Sequence, residues 1–471
     1  MQYSIVNYKE IDKKLFRLEA EFYNSTSVSR MDFFTGEEII DFVQYGTSKE
    51  LNEECKGFPT LRLNEFDSFF IKMPEKYCEK ISTDTYKTLT LKKGDILICR
   101  TNGNPKLVGK SAIVPEDYDY AFASYLFRIR TQKEKILPTT LVTYLNSSIG
   151  RNEIEKYLMI SNQANFSPAK FREILIPKFG NKTQSLIDAL IWNSFNKHSK
   201  SKKLYIQAET LLLSEIGLLD WRPGHCLSFV KTYRDAAQAQ RIDAEYFQPK
   251  YDEIVKAIKS YKGGWDTLGN LCSLVGHPSN PPYAENNDKD KTFIVTQKHL
   301  GNYSLNDEFW KDEDALYTTN EFVKTNSQYI LKQDDVLLYS VGAYIGKTNI
   351  YKENIKATIG SFLTLLRAKK ERIDPYYLMV FLNTEIGVMM SKQHQRGMAQ
   401  QYLYPYDIRT FPIPLLNEDT QTQIQQKISE SFNLRKQSKH LLACAKQAVE
   451  IAIEKDEKTA MQWLKKQTKN N

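Results

Sequence analysis

The sequence predicts an α+β protein made of two tandem, pseudo-symmetric mixed α/β domains separated by two long helices that pair as an antiparallel coiled coil. Three observations predict it. An internal repeat runs through the chain, each copy is rich in short apolar runs broken by Gly, Pro and Asn, and each closes on a long stretch without proline.

The repeat is read first. "RLEAEFYN" (17–24) recurs as "RIDAEYFQ" (241–248), 224 residues later, and "YSIV" (3–6) matches "LSFV" (227–230) at the same offset. "GDILI" (94–98) pairs with "DDVLL" (334–338) at an offset of 240. From "VGK" (108–110) and "IGK" (345–347) onward the offset settles at 237. It then aligns "ASYLFRIR" (123–130) with "GSFLTLLR" (360–367) and "YLNSSIG" (144–150) with "FLNTEIG" (381–387). "ILIPKF" (174–179) with "FPIPLL" (411–416), and "TQSLI" (183–187) with "TQTQI" (420–424), complete the match. The chain is two copies of one unit.

Within each copy, "DILICR" (95–100), "YLFRIR" (125–130), "TFIVTQ" (292–297) and "DVLLYS" (335–340) read as strands between loops. Pro177 and Pro414 each end a strand, and proline-free stretches follow over 180–216 and 417–466. A 4-3 spacing marks their apolar seam. In the first helix it runs through Ile187, Ile191, Ser194, His198, Ser201, Tyr205, Ala208, Leu212 and Glu215. In the second it runs through Ile424, Ile428, Ser431, Arg435, Ser438, Leu442, Ala445, Val449 and Ala452. Each seam is only half apolar, so neither helix is stable alone and each is expected to cover the other. Antiparallel pairing brings the polar middles together, with His198 or Ser201 facing Arg435 or Ser438.

Composition limits the function classes. The 471 residues suffice for two or three domains, with 41% hydrophobic content and a mean hydropathy of −0.50. No apolar run approaches the ~20 residues of a membrane span, and "MQYSIVNYKE" carries no secretion signal, so a cytoplasmic protein is expected. The six cysteines (Cys55, Cys78, Cys99, Cys226, Cys272, Cys444) show no CxxC pair and no histidines at zinc spacing, so neither metal nor disulfide framework is expected. A net charge of +8 permits a polyanionic partner without requiring one.

The ordered, duplicated set of motifs resembles the specificity subunits of type I restriction–modification systems over essentially the full chain. "YGTSKELNEECKGFPTLRLNEFD" (45–67) and "WDTLGNLCSLVGHPS" (265–279) look like the openings of target-recognition domains in that family, with Gly276 standing where Gly46 stands. The resemblance implies target-recognition domains over 1–179 and 241–416, and long spacer helices over 180–218 and 417–466. A linker would span 219–240 and a short tail 467–471. It also implies a non-catalytic subunit without cofactor, each domain reading one half of a bipartite site in double-stranded DNA. Two methyltransferase subunits would dock on it, and restriction/translocase subunits through them.

Candidate DNA contacts are polar loop positions. In the first copy these are Gly46, Thr47, Ser48, Lys49, Arg62, Asn64, Arg100, Asn102, Lys106 and Lys110. In the second they are Ser279, Tyr283, Gln297, Lys298, Tyr344, Lys347, Arg396, Gln400 and Gln401. Arginine forks suit guanine O6/N7, carboxamides suit adenine N6/N7, and hydroxyls, ammonium groups and backbone amides suit phosphate. Arg130 and Arg367 are repeat-equivalent but sit at strand ends, where an ion pair within the protein competes with phosphate.

One stretch argues for a different class. Asn280-Pro281-Pro282-Tyr283 matches the tetrapeptide of enzymes that methylate base amino groups, so a self-contained DNA amino-methyltransferase is the alternative reading. A donor-binding F-x-G-x-G run is missing, the nearest glycines in "SVGAYIG" (340–346) are wrongly spaced, and no Walker motif occurs. Three prolines within five residues instead favour a rigid loop. A protein-binding scaffold is the third reading.

Overall fold

The computed structural model describes residues 31–160, 163–284, 291–301, 305 and 315–469. The repeat segments at 3–6 and 17–24 lie outside them. The chain divides into two compact units, one of residues 1–199 with 435–471 and one of residues 200–434.

The first unit is built on a six-stranded sheet. Its order is Ile40–Tyr45, Leu126–Thr131, Ile96–Cys99, Ser111–Ile113, Phe70–Ile71 and Phe66–Asp67. A smaller sheet places Phe58–Leu61 between Ala121–Phe122, which is parallel to it, and Lys76–Cys78, which is antiparallel. A third pairing joins Phe33–Thr35 to Leu175–Pro177.

The second unit repeats this topology. Cys272–Gly276, Leu363–Ala368, Val336–Tyr339 and Thr348–Ile350 stand in the order of the first four strands above. Thr292–Val295 lies between a parallel Ala357–Ile359 and an antiparallel Tyr317–Thr318, and Trp265–Thr267 pairs with Pro412–Pro414. The equivalence holds residue by residue, since Leu61 opposes Phe122 as Val295 opposes Ile359.

The repeated motifs have physical reasons. The Asn146 amide donates to Ser111 O at 2.9 Å and accepts from Ser111 N at 3.4 Å. Asn383 holds Thr348 in the same way, at 2.9 Å in both directions. Each side chain acts as an extra strand residue and satisfies an edge that would otherwise lack partners. The glycine four residues on is obligatory by contact: a Cβ at Gly150 would lie 1.9 Å from Tyr144 O, and one at Gly387 would lie 2.5 Å from Phe381 O. Gln184 and Gln421 tie the start of each long helix to the N-terminus of an earlier one, Pro138–Leu145 or Pro375–Asn383, accepting from Leu137 N at 2.7 Å and Asp374 N at 2.9 Å.

The long helices are Asn181–Glu215 and Glu418–Glu454. In the first unit Ile187, Ile191, Leu442, Ala445, Val449 and Ala452 are buried in one apolar core. In the second unit Tyr205, Ala208, Leu212, Ile424, Ile428 and Phe432 share another. Within each unit the helices run antiparallel, as Ser201 against Ser431 and Gln207 against Lys427 show in the second.

Three expectations are corrected. The second helix does not continue to 466: it stops at Glu454, and Glu457–Lys469 starts afresh because Asp456 Oδ1 caps Thr459 N at 2.8 Å. The new helix carries Ala460 and Leu464 into the core of the first unit, as Pro249–Lys259 carries Ile254 and Ile258 into the second. His198 bonds Asp67 Oδ2 through Nε2 at 2.9 Å, while Ser438 meets Ser194. Its position falls at the rim, where a ring can leave the seam. The stretch expected as a linker holds a capped helix, Tyr233–Ala239.

Candidate nucleic-acid interface

In the first unit the central strand Ile96–Cys99 runs on to Thr101–Asn102, which leaves the main sheet and pairs with Ala164–Asn165. The turn Leu63–Glu65 follows the parallel strand of the small sheet and ends beside it. Arg62, Leu63, Asn64, Thr101, Asn102, Gly103, Tyr125 and Gln163 line one open cleft of 370 Å³. Three candidates from the sequence, Arg62, Asn64 and Asn102, therefore meet in one place.

Arg62 is bound within that cleft. Its Nη2 donates to Glu65 Oε1 at 2.7 Å, and Glu65 is wholly buried. The Glu65 hydrogen bond holds the guanidinium above its ordinary pKa. Arg62 is thus a fixed cationic rim, and the carboxamides of Asn64, Asn102 and Gln163 supply the hydrogen-bonding groups.

The "GTSK" loop reaches the same edge. Thr47 N donates to Phe122 O at 2.8 Å and Ser124 N donates to Thr47 O at 2.7 Å, which sets the loop beside Tyr125. Gly46 is required because a Cβ there would lie 2.2 Å from Phe122 O. Ser48 and Lys49 are exposed. Arg100 lies over the Tyr45 ring at 5.0 Å, and its Nη1 donates to Ser124 O at 3.4 Å. Lys106 is exposed on the following turn, whereas Lys110 lies further in, its carbonyl accepting from Cys99 N.

The second unit presents the equivalent edge with different chemistry. Thr296 N donates to His299 Nδ1 at 2.9 Å, so a histidine takes the place of Glu65. Gln297 Nε2 donates to Val341 O at 2.8 Å, and Lys298 is exposed. Val341 pairs with Tyr402, which pairs in turn with Arg396, and Gly342 N donates to Gln401 O at 3.0 Å. Tyr402 donates its hydroxyl proton to Gln400 Oε1 at 2.8 Å. Tyr344 is exposed and meets Tyr339 edge-on at 6.1 Å. Lys347 is half-buried, and burial pushes its ammonium pKa down.

Arg396 is committed. It reaches both oxygens of Asp407 at 3.3 Å and lies 5.6 Å over the Tyr406 ring, and the Asp407 bond holds its pKa up. Tyr402, Tyr404 and Tyr406 stack behind it with ring centroids 6.2 and 5.3 Å apart. Arg130 and Arg367 are likewise internal, clasping Asp95 at 2.6 Å and Asp335 at 2.7 Å.

Asn280–Tyr283 is a lashed loop. Asn280 Oδ1 accepts from Ser361 Oγ at 2.7 Å, Pro278 and Pro281 are buried, and Tyr283 bridges Thr318. Ser279 and Tyr283 remain exposed. The Asn280 carboxamide oxygen, which a methylating site would offer to its target amine, is already engaged.

Sequence reasoning missed Tyr125, Gln163, Met398, Tyr404 and Tyr406. The 237-residue offset places Gln163 opposite Gln400, so one of these was within reach of the repeat. Among the described residues, no group of three His, Cys, Asp or Glu is placed to hold a metal, and no helix is long and apolar enough to cross a membrane.

Comparison with known proteins points one way. Residues 262–442 match the family model of the type I restriction modification DNA specificity domain. A Methanocaldococcus jannaschii protein provisionally assigned as the type I restriction enzyme MjaX specificity subunit is 21% identical over 423 residues, 88% of this chain and 90% of that one. Among solved structures, the type I restriction–modification S subunit from M. genitalium is 12% identical with a TM-score of 0.43, covering 90% of this chain and 96% of its own. The HsdS subunit from Thermoanaerobacter tengcongensis is 16% identical with a TM-score of 0.29, covering 90% and 97%. Both superpositions are loose, and the fold rests on the chain's own two matching units.

Proposed function

We propose that this chain, a member of the type I restriction–modification specificity subunits, reads a bipartite DNA site with one unit on each half and carries methyltransferase subunits to it. One observation carries the reading. The same edge in both units gathers loop residues that bond phosphate or base edges: Lys49, Asn64, Asn102 and Gln163 in one, Lys298, Gln400 and Gln401 in the other. A shared four-strand order with different side chains at that edge suits two different half-sequences.

The methyl transfer belongs to the partner, and restriction subunits join through it. Docking of a protein partner is supported by residues 226–247, where Leu227, Val230, Tyr233 and Ile242 are almost wholly exposed. Such a surface suits another protein better than a polyanion. The long helices set the unspecified spacer between the halves, and the complex works in the cytoplasm.

The test is to co-express the chain with its methyltransferase, map the methylated bases in the host genome, and footprint the complex on the mapped site. A bipartite motif protected by the complex is expected, with affinity falling steeply as salt rises because phosphate contacts release counterions. Absence of both methyltransferase association and sequence preference would sink the reading.

A further inference from the structure

Resting on the DNA-reading role above, we propose that Tyr344 and Met398 form an apolar wedge that the second unit inserts between adjacent base pairs of its half-site.

The two units differ at the cleft edge. Arg62, Thr101, Asn102 and Tyr125 line the cleft of the first unit. The equivalent positions in the second hold Thr296, Val341, Gly342 and Phe362. At three of these four positions a hydrogen-bonding side chain has been exchanged for one without such a group, and at the fourth the arginine has become Thr296. Beyond them, two loop tips project: Tyr344 is 68% exposed and Met398 is fully exposed.

These tips are braced. Gly342 N bonds Gln401 O at 3.0 Å, Val341 bridges Tyr402, and Gln297 fastens Val341 O at 2.8 Å. Gly342 and Gly397 both have φ of +101°, a conformation open to glycine, and a Cβ at Gly397 would lie 2.3 Å from Gln400 O. The stacked Tyr402, Tyr404 and Tyr406, with the Arg396–Asp407 pair, back the turn that carries Met398. A wedge must keep its shape against the stacking it opens, and this one is supported from behind.

The occupant follows from the surroundings. Gln400 and Gln401 follow Met398 on the same turn, and Lys298 follows the Gln297 that holds Val341 O; their groups suit phosphates and base edges. A base step offers an apolar interior to a methionine and an aromatic ring, and such side chains unstack it.

The experiment uses the chain in complex with its methyltransferase, and duplexes of the genome-mapped site carrying 2-aminopurine at one position at a time. Fluorescence should rise at a step distinct from the base the methyltransferase modifies. Met398→Ala with Tyr344→Ala should return that position to the free-duplex level even at complex concentrations raised until the duplex is fully bound. Both side chains are exposed, and an unchanged melting temperature confirms that the variant folds. Retained binding with fluorescence unaffected by the substitutions, or no response outside the modified base, overturns the wedge alone. Loss of all sequence preference in the unsubstituted complex overturns the wedge and the DNA-reading role together.

Discussion

Ser194 and Ser438 meet inside the first unit with their hydroxyl oxygens 2.8 Å apart, and each hydroxyl also reaches the other's main-chain carbonyl, at 3.0 and 2.9 Å. Ser201 and Ser431 meet in the second unit with their hydroxyl oxygens 2.9 Å apart, and Ser431 Oγ donates to Ser201 O at 2.9 Å. Serine is small enough for close helix approach and satisfies its own polar atom there. Ser194→Ala should cost about 1 kcal/mol through the lost hydrogen bond. Ser194→Leu should cost about 1–3 kcal/mol by overpacking. Urea denaturation of each variant separates the two effects.

Asp335 and Asp95 are equally buried but differently served. Asp335 is held by Arg367 at 2.7 Å, whereas Asp95 has both Arg130 at 2.6 Å and Arg128 at 3.2 Å. Arg367→Met should therefore destabilise the protein by about 3–5 kcal/mol, since it strips a buried carboxylate of its guanidinium. Arg130→Met should cost less, because Arg128 remains. A calorimetric melt of the two variants side by side checks the order.

In the cleft of the first unit, Asn64→Ala, Asn102→Ala and Gln163→Ala should each lower affinity for the mapped site by about 1–3 kcal/mol if the carboxamide reads a base. The loss should fall on one position of the first half-sequence. Lys49→Ala should instead weaken binding to all sequences and reduce the salt slope by about 1. Binding isotherms at several salt concentrations distinguish them.

Asp407 gives the second unit an acid-side dependence. Burial raises its carboxyl pKa, but the nearby His394 and the hydrogen-bonded Arg396 outweigh burial, and the net shift is downward. A carboxylate lowered in the folded state stabilises above its unfolded value of about 3.9 and loses that contribution as pH falls through the lower folded value. Stability of the wild-type chain should fall in the window below about pH 4, and Asp407→Asn should flatten that part of the profile. Melting temperatures measured from neutral to acid pH test it.

Seven residues added to each long helix lengthen it by about 10.5 Å, roughly three base pairs at about 3.4 Å each. The methylated motif of the lengthened complex should keep both half-sequences and gain spacer. An unchanged spacer in its methylation map would remove the helices from that role.

The sequence by itself determined the duplication, two sheet strands of each copy, and the long helices with their apolar ends and polar middles. These follow from periodicity and spacing, which are local and survive in one dimension. Even the repeated Asn146/Asn383 and Gly150/Gly387 were visible as letters, though their reasons, an amide pinning a strand edge and a carbonyl too close for a Cβ, were not. Only tertiary structure decided which candidate side chains are already spent. Arg62 on Glu65, Arg396 on Asp407, Asn280 on Ser361 and His198 on Asp67 all find partners that the chain brings from another loop or element, or folds back onto them. It also gathered Tyr125 and Gln163 with Asn64, and joined the loop of Val341 and Gly342 to Tyr402 and Gln401 beyond Met398. Whether a polar group is available to a ligand depends on what the fold has placed within hydrogen-bond distance of it, and sequence order alone does not record that proximity.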